Sequence, residues 1–235
     1  KRFGMHMMTG SCVLEPDYFE NITGTILDAA GLIAKKLSIR FEFIDIGGGF
    51  GIPYHPDEKP LDIEETGRLV TAMFQRKCRE HHLGNVTLMV EPGRYFVGDA
   101  GVLLGRVHMI KESYQRFAGL DVSINHLVRP KMYGAYHHII VANKWRKPTK
   151  YPINICGSIC DSGDILAKVR PLPKLERGDL LVIGNAGAYG FSMSSQYNTR
   201  PRARELLVNG KRTALIREAE ETKDLFLQCK HAPWL

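Results

Sequence analysis

Phe41–Tyr54, FEFIDIGGGFGIPY, is the stretch on which the reading of the chain turns. Its first half is β-prone and apolar, with Phe41, Phe43, Ile44 and Ile46 reading as a buried strand. The run then breaks into Gly47, Gly48 and Gly49, with a fourth glycine at Gly51. Three residues without Cβ at a strand end open backbone N–H groups to an anion, and phosphate is the expected ligand. A glycine-rich turn that only punctuates the strand end is the alternative. Two phosphate loops are excluded: no Gly-Lys-Ser/Thr follows, and Ile52 stands where a dinucleotide fingerprint needs its third glycine. The ligand expected here is therefore neither ATP nor NAD.

Upstream, Phe3–Met8 reads as a short strand running into Thr9-Gly10-Ser11, and Pro16 suits the first turn of a helix. Ile22, Ile26, Ala29, Ala30, Ile33 and Leu37 recur at three- and four-residue spacing, which gives that helix an apolar face. Downstream, Pro53, Pro56 and Pro60 mark a loop, Ile63–Leu83 regains a helical period, and Val86–Val90 returns to strand. Strand alternating with helix predicts a parallel α/β layout. Ser11, Gly47 to Gly51 and Glu91 to Arg94 each follow a strand, as active-site loops do in a barrel. From about Gly101 the texture changes. Val102–Ile110, Val182–Ile183 and a hairpin signal at Asn209-Gly210 predict a second, β-rich domain, with residues 1–99 in the first domain and 100–235 in the second.

Of the 235 residues, 44% are hydrophobic and 24% charged, which is a globular composition rather than a disordered one. No apolar run is long enough to span a bilayer, and KRFGMHMMTG lacks the core of a signal peptide, so a cytoplasmic location is expected. The five cysteines are scattered without CxxC spacing, against both a disulfide framework and a zinc site. A formal charge of +7 suits a phosphorylated cofactor and a substrate bearing carboxylates. The one dense basic stretch, Asn143–Tyr151, is short and proline-broken, and reads as a solvated loop rather than a nucleic-acid contact. The chain starts abruptly at Lys1, and it is expected to be a piece of a longer polypeptide.

Glu91-Pro92-Gly93-Arg94 places an acid and a guanidinium around a rigid turn past a strand; an ion pair at a helix entrance is the plain alternative. Cys160 and Asp161 share a glycine-containing turn with Asp164, although most cysteines are inert core residues. Asn185–Gly190 surrounds Tyr189 with small residues, so that its phenol could donate to an anion. Arg129 and Tyr133 offer a planar guanidinium and a phenol, suited to a carboxylate, or else to a surface stack. His81-His82 and His137-His138 are adjacent pairs that point apart, so no metal site is expected.

IDIGGGFGIPY, EPGRYFVGDAG, LVRPKMYGAYHHI, CGSICDSGDILAKVRPLP and GAYGFSMSSQYNTRPR, in that order, resemble the pyridoxal-phosphate-dependent diaminopimelate decarboxylases, within the ornithine/diaminopimelate/arginine decarboxylase family. The resemblance runs from Gly4 to the tail LIREAEETKDLF. It implies the later part of an alanine-racemase-like (β/α)8 barrel followed by a β-domain, and a homodimer with shared active sites. It also implies conversion of meso-diaminopimelate to L-lysine, in lysine biosynthesis. By the same resemblance Ser11, Gly47, Gly48, Gly49, Gly93, Arg94 and Tyr189 are cofactor ligands, and Glu91 meets the pyridine nitrogen. Cys160 corresponds to the proton donor acting across the dimer interface. Asp161 corresponds to the group on the distal amine, with Arg94, Arg129, Tyr133 and Tyr189 on the substrate side.

Three departures accompany the match. Met8 stands where the family's HxHIGS has its ring-stacking histidine, a thioether in place of an imidazole. Asp161 replaces the usual glutamate. The family's Schiff-base lysine belongs to an N-terminal segment this sequence does not include, and Lys144 in VANKW does not match its motif. The chain by itself is accordingly expected to be inactive. A decarboxylase of another diamino acid, of ornithine, lysine or arginine type, and a non-catalytic dimer partner are the alternative readings.

Overall fold

The computed structural model describes residues 2–234. They form two compact units, Lys1–Ala100 and Gly101–Leu235, each described here by itself.

The first unit alternates strand and helix: β1 (Gly4–His6), α1 (Pro16–Leu37), β2 (Phe43–Asp45), α2 (Ile63–Glu80), β3 (Thr87–Met89) and the short α3 (Gly93–Val97). The three strands are parallel in the order β1-β2-β3, with Met5 opposite Ile44 and Ile44 opposite Leu88. Ile44 on the central strand is wholly buried. α1 begins at Pro16, whose missing N–H costs nothing in a first turn, and buries Phe19, Ile22, Ile26, Leu27 and Ala30. Phe19 stacks on Phe50 with ring centroids 4.3 Å apart, which fastens α1 to the glycine loop. Leu37, expected on the apolar face, is exposed, because the last turn of α1 extends past the core.

α2 starts at a true cap, Asp62 accepting from Glu65 N. It stops at Glu80 rather than near Leu83, because His82 and Gly84 adopt left-handed backbone that a helix cannot continue through. α1 and α2 are tied by Asp28, which lies 2.7 Å from Lys77 Nζ and 2.6 Å from His81 Nε2. The Lys77 ammonium, seconded by His81, holds the Asp28 carboxyl below the usual range.

The second unit comprises β4 (Leu103–Glu112), β5 (Arg116–Leu120), α4 (Arg129–Tyr133), β6 (Ile139–Val141), β7 (Tyr151–Cys156), β8 (Ile165–Leu172), β9 (Leu180–Ile183), β10 (Glu205–Asn209) and β11 (Arg212–Arg217). Six strands form one sheet in the order β6-β9-β4-β5-β7-β8, antiparallel except for β5 beside β7. β4 is long enough to serve two partners. Leu103–Arg106 pair with β9, and past Val107 the register shifts and the strand pairs with β5. Val107, Leu120, Ile155, Leu181 and Ile183 form the core.

The sequence does not announce β5, β7 or β8. Gly119 interrupts β5, while Pro152 and Pro171 lie opposite each other on β7 and β8, where proline argues against a central strand. β8 is an edge strand, so Pro171 is tolerated there. β10 and β11 form the hairpin expected around Asn209-Gly210, with Gly210 at φ 58° in its two-residue turn.

Candidate active site

In the first unit the loops after β1, β2 and β3 are stitched together by backbone hydrogen bonds. Met7 N donates to Asp45 O (3.0 Å), Val13 N to Gly49 O (2.9 Å), and Glu91 N to Gly47 O (2.9 Å). The glycines follow from this closeness. A Cβ on Gly47 would sit 2.6 Å from Met7 O, on Gly48 2.5 Å from Glu91 O, and on Gly49 2.8 Å from Gly10 O. The glycine run therefore first lets three loops converge. Gly47 N donates to Asp45 Oδ1 (2.8 Å), Gly48 N to the Met8 thioether (3.3 Å) and Gly93 N to Glu91 O (2.8 Å). All three N–H groups have partners within the protein.

Arg94, expected to meet an anion, lies at the start of α3. It donates through Nη1 to the Tyr54 hydroxyl (2.5 Å) and through Nη2 to Ser11 Oγ (3.3 Å), with its guanidinium carbon 5.6 Å from the centroid of the Tyr54 ring. Ser11 and Arg94, separated by 83 residues, are thus brought together as the sequence suggested. Glu91 is exposed, with Oε2 3.4 Å from His6 Nε2. His6, Asp45 and Glu91 have ligand atoms within 4.8 Å of one another, at the ends of the three strands.

In the second unit α4 carries two of the expected substrate residues, in unlike surroundings. Arg129 is 6% exposed and Tyr133 63%. Arg129 Nη1 lies 3.0 Å from His137 Nε2, and His137 Nδ1 lies 2.8 Å from Gly184 O. A guanidinium only donates, so Nε2 is the acceptor and Nδ1 carries the hydrogen toward Gly184. The buried His137 is thereby fixed as a neutral tautomer that holds Arg129. His137, one of the adjacent histidines, is thus a buried structural residue.

Cys160 is exposed in the loop between β7 and β8. That loop is pinned by Asp164, which accepts from Ile124 N (2.9 Å) and Ile159 N (3.0 Å), and by Ser123 Oγ, which accepts from Ser158 N (2.8 Å). Asp161 accepts from Gly163 N (2.6 Å) through Oδ1, and from Lys131 Nζ and the Tyr197 hydroxyl (3.0 Å) through Oδ2. The Lys131 ammonium, with the Gly163 N–H and Tyr197 behind it, holds the Asp161 carboxyl below the usual range. Tyr189 is 43% exposed at φ 57°, an uncommon conformation for an aromatic residue, in a turn closed by Ala186 N on Gly101 O (2.8 Å). Lys144 is bound to Lys174 O, Glu176 and Asp179, each at 2.9 Å.

Residues 25–187 match the family described as pyridoxal-dependent decarboxylase, C-terminal sheet domain. The chain belongs to the pyridoxal-dependent decarboxylases. It is 49% identical over 222 residues to the diaminopimelate decarboxylase of Methanothermobacter thermautotrophicus, covering 94% of this chain and 52% of that protein. The diaminopimelate decarboxylase of Archaeoglobus fulgidus is 40% identical over 232 residues, 99% of this chain and 55% of its own length. A crystal structure of the M. jannaschii diaminopimelate decarboxylase in co-complex with L-lysine superposes with a TM-score of 0.87 at 35% identity, covering 98% of this chain and 52% of that one. The chain spans about half the length of the curated relatives it matches.

The groups in this decarboxylase-family chain fit a phosphorylated pyridine. A guanidinium and a hydroxyl converge beside the glycine loop, as a phosphate requires, and a carboxylate stands at the end of the next strand for a ring nitrogen. Reading the sequence missed the residues that hold these groups: Tyr54 under Arg94, Asp45 on the glycine loop, His137 behind Arg129, and Lys131 with Tyr197 on Asp161. Tyr54 and Asp45 lie within the Phe41–Tyr54 motif, and that position is the signal the sequence carries for them. Nothing local marks Lys131 or Tyr197, since each meets Asp161 only through the fold.

Proposed function

We propose that the complete polypeptide containing this chain decarboxylates meso-diaminopimelate to L-lysine with pyridoxal 5'-phosphate, as a step of lysine biosynthesis. In this reading residues 1–99 are the later part of a (β/α)8 barrel, 100–235 form the substrate- and interface-bearing β-domain, and two subunits share each active site. The observation that carries it is the convergence of Arg94 and Ser11 beside the Gly47–Gly49 loop, with Glu91 at the adjoining strand end.

Pyridoxal phosphate supplies an electron sink for the carbanion left when CO₂ departs. The chain's own residues bind and orient. Arg94 and Ser11 hold the phosphate end, with Tyr54 fixing the guanidinium, and Tyr189 adds a phenol donor. The Glu91 carboxylate keeps a proton at the pyridine nitrogen. Arg129, oriented by His137, and Tyr133 recognise the distal carboxylate, a group that ornithine-type substrates lack. Cys160 presents its thiol proton at Sγ for return to the α-carbon, from the neighbouring subunit.

The test is CO₂ release from meso-diaminopimelate by the complete polypeptide, with and without added pyridoxal phosphate, for wild type and Glu91→Gln. Turnover that requires the cofactor and falls about 10²-fold or more in the variant is expected. Turnover indifferent to the cofactor contradicts the reading.

A further inference from the structure

We infer that Lys131 is an internal competitor of the substrate: its ammonium rests on Asp161 Oδ2, where the distal ammonium of a diamino acid binds, and must leave for that substrate to enter. This rests on the reading of Asp161 as the distal-amine ligand. Four observations in the second unit support it. Asp161 has its two oxygens divided, Oδ1 turned back to Gly163 N (2.6 Å) and Oδ2 facing Lys131 and the Tyr197 hydroxyl (3.0 Å). Oδ2 is thus the oxygen turned toward the ammonium subsite, and Lys131 occupies it.

The lysine reaches Asp161 past Gly163, where a Cβ would fall 2.9 Å from Lys131 Cε and 3.2 Å from Nζ. The Tyr197 ring centroid is 5.9 Å from Lys131 Nζ, within cation–π range, so carboxylate, phenol and ring together form a subsite for an ammonium. Beside it lies a cavity of about 290 Å³ lined by Asn125, Val128, Lys131, Met132 and Tyr197 among others.

The competition is measurable because it acts on one substrate group. In the complete polypeptide, Lys131→Met should lower KM for meso-diaminopimelate about two- to five-fold at unchanged kcat, the range an exposed ion pair supplies. KM for 2-aminopimelate, which keeps both carboxylates and lacks the distal amine, should not move. L-Lysine binding, followed by calorimetry, should tighten by the same factor. Lys131→Arg, which keeps the cation, should behave as wild type, separating charge from any disturbance of α4. A KM for diaminopimelate that is unchanged or raised in Lys131→Met, or that falls equally for both substrates, overturns the inference. Asp161→Asn separates the layers. If it raises KM for diaminopimelate while Lys131→Met does nothing, only the inference falls; if it leaves that KM untouched, the reading of Asp161 falls and the inference with it.

Discussion

Gly48 has no space for a methyl group, since its Cβ would lie 2.5 Å from a backbone oxygen that cannot swing aside. Gly48→Ala should destabilise the first unit by about 1–3 kcal/mol, because the loops after β2 and β3 must part. Gly67, in the middle of α2 with nothing within 4 Å, should respond in the opposite sense. Gly67→Ala is expected to stabilise by about 0.5–1 kcal/mol, read as a shift of the denaturation midpoint. His137→Leu tests a different residue-scale claim. It removes an acceptor from the buried Arg129 and the donor to Gly184 O, and should cost about 1–3 kcal/mol in the same measurement. The sequence singled out the glycines and Arg129 for ligand binding, and the fold adds a second demand on each: close backbone approach at the glycines and a buried partner, His137, behind Arg129. Glycine content reveals that something comes close to the backbone. Whether a phosphate or a neighbouring carbonyl does so is decided by loops that meet only in three dimensions.

Elements built from local pattern were legible. α1 and α2 follow from apolar spacing and a proline or aspartate at the start, and the β10–β11 hairpin from Asn209-Gly210. β5, β7 and β8 were not, because their places are set by neighbouring strands and an edge position rather than by their own alternation. One tie between elements carries a pH prediction. Glu220, just past β11, accepts from the side chain and backbone of Arg202 and from Gln196, and the Arg202 guanidinium brings its carboxyl down from an ordinary 4.5 to about 2. A depressed carboxyl contributes its stability above the unfolded value and loses it as pH falls through the folded one. Amide protection relative to intrinsic exchange in residues 196–202 and 217–221 should therefore be constant above about pH 4.5 and fall toward pH 2 as the segment opens locally. Glu220→Gln should lose protection already at neutral pH and show no further change across that window.

On the scale of the whole molecule, the proposal of shared active sites separates Glu91 from Cys160. Each would then be supplied to one site by a different subunit of a dimer. Co-expressing Glu91→Gln with Cys160→Ser should restore up to about a quarter of wild-type turnover through mixed dimers carrying one intact site. No restoration would place both residues in sites made by one subunit. Family membership was legible in the sequence because several motifs occur in order along most of the chain, and a match over residues 25–187 agrees. The proposed substrate preference draws on fewer groups, Arg129, Tyr133 and Asp161, and is tested by direct comparison. The most direct measurement is decarboxylation by the complete polypeptide, with pyridoxal phosphate, of meso-diaminopimelate, ornithine, lysine and arginine side by side. The highest kcat/KM is expected for meso-diaminopimelate, with L-lysine as product; preference for ornithine, lysine or arginine would overturn the diaminopimelate reading.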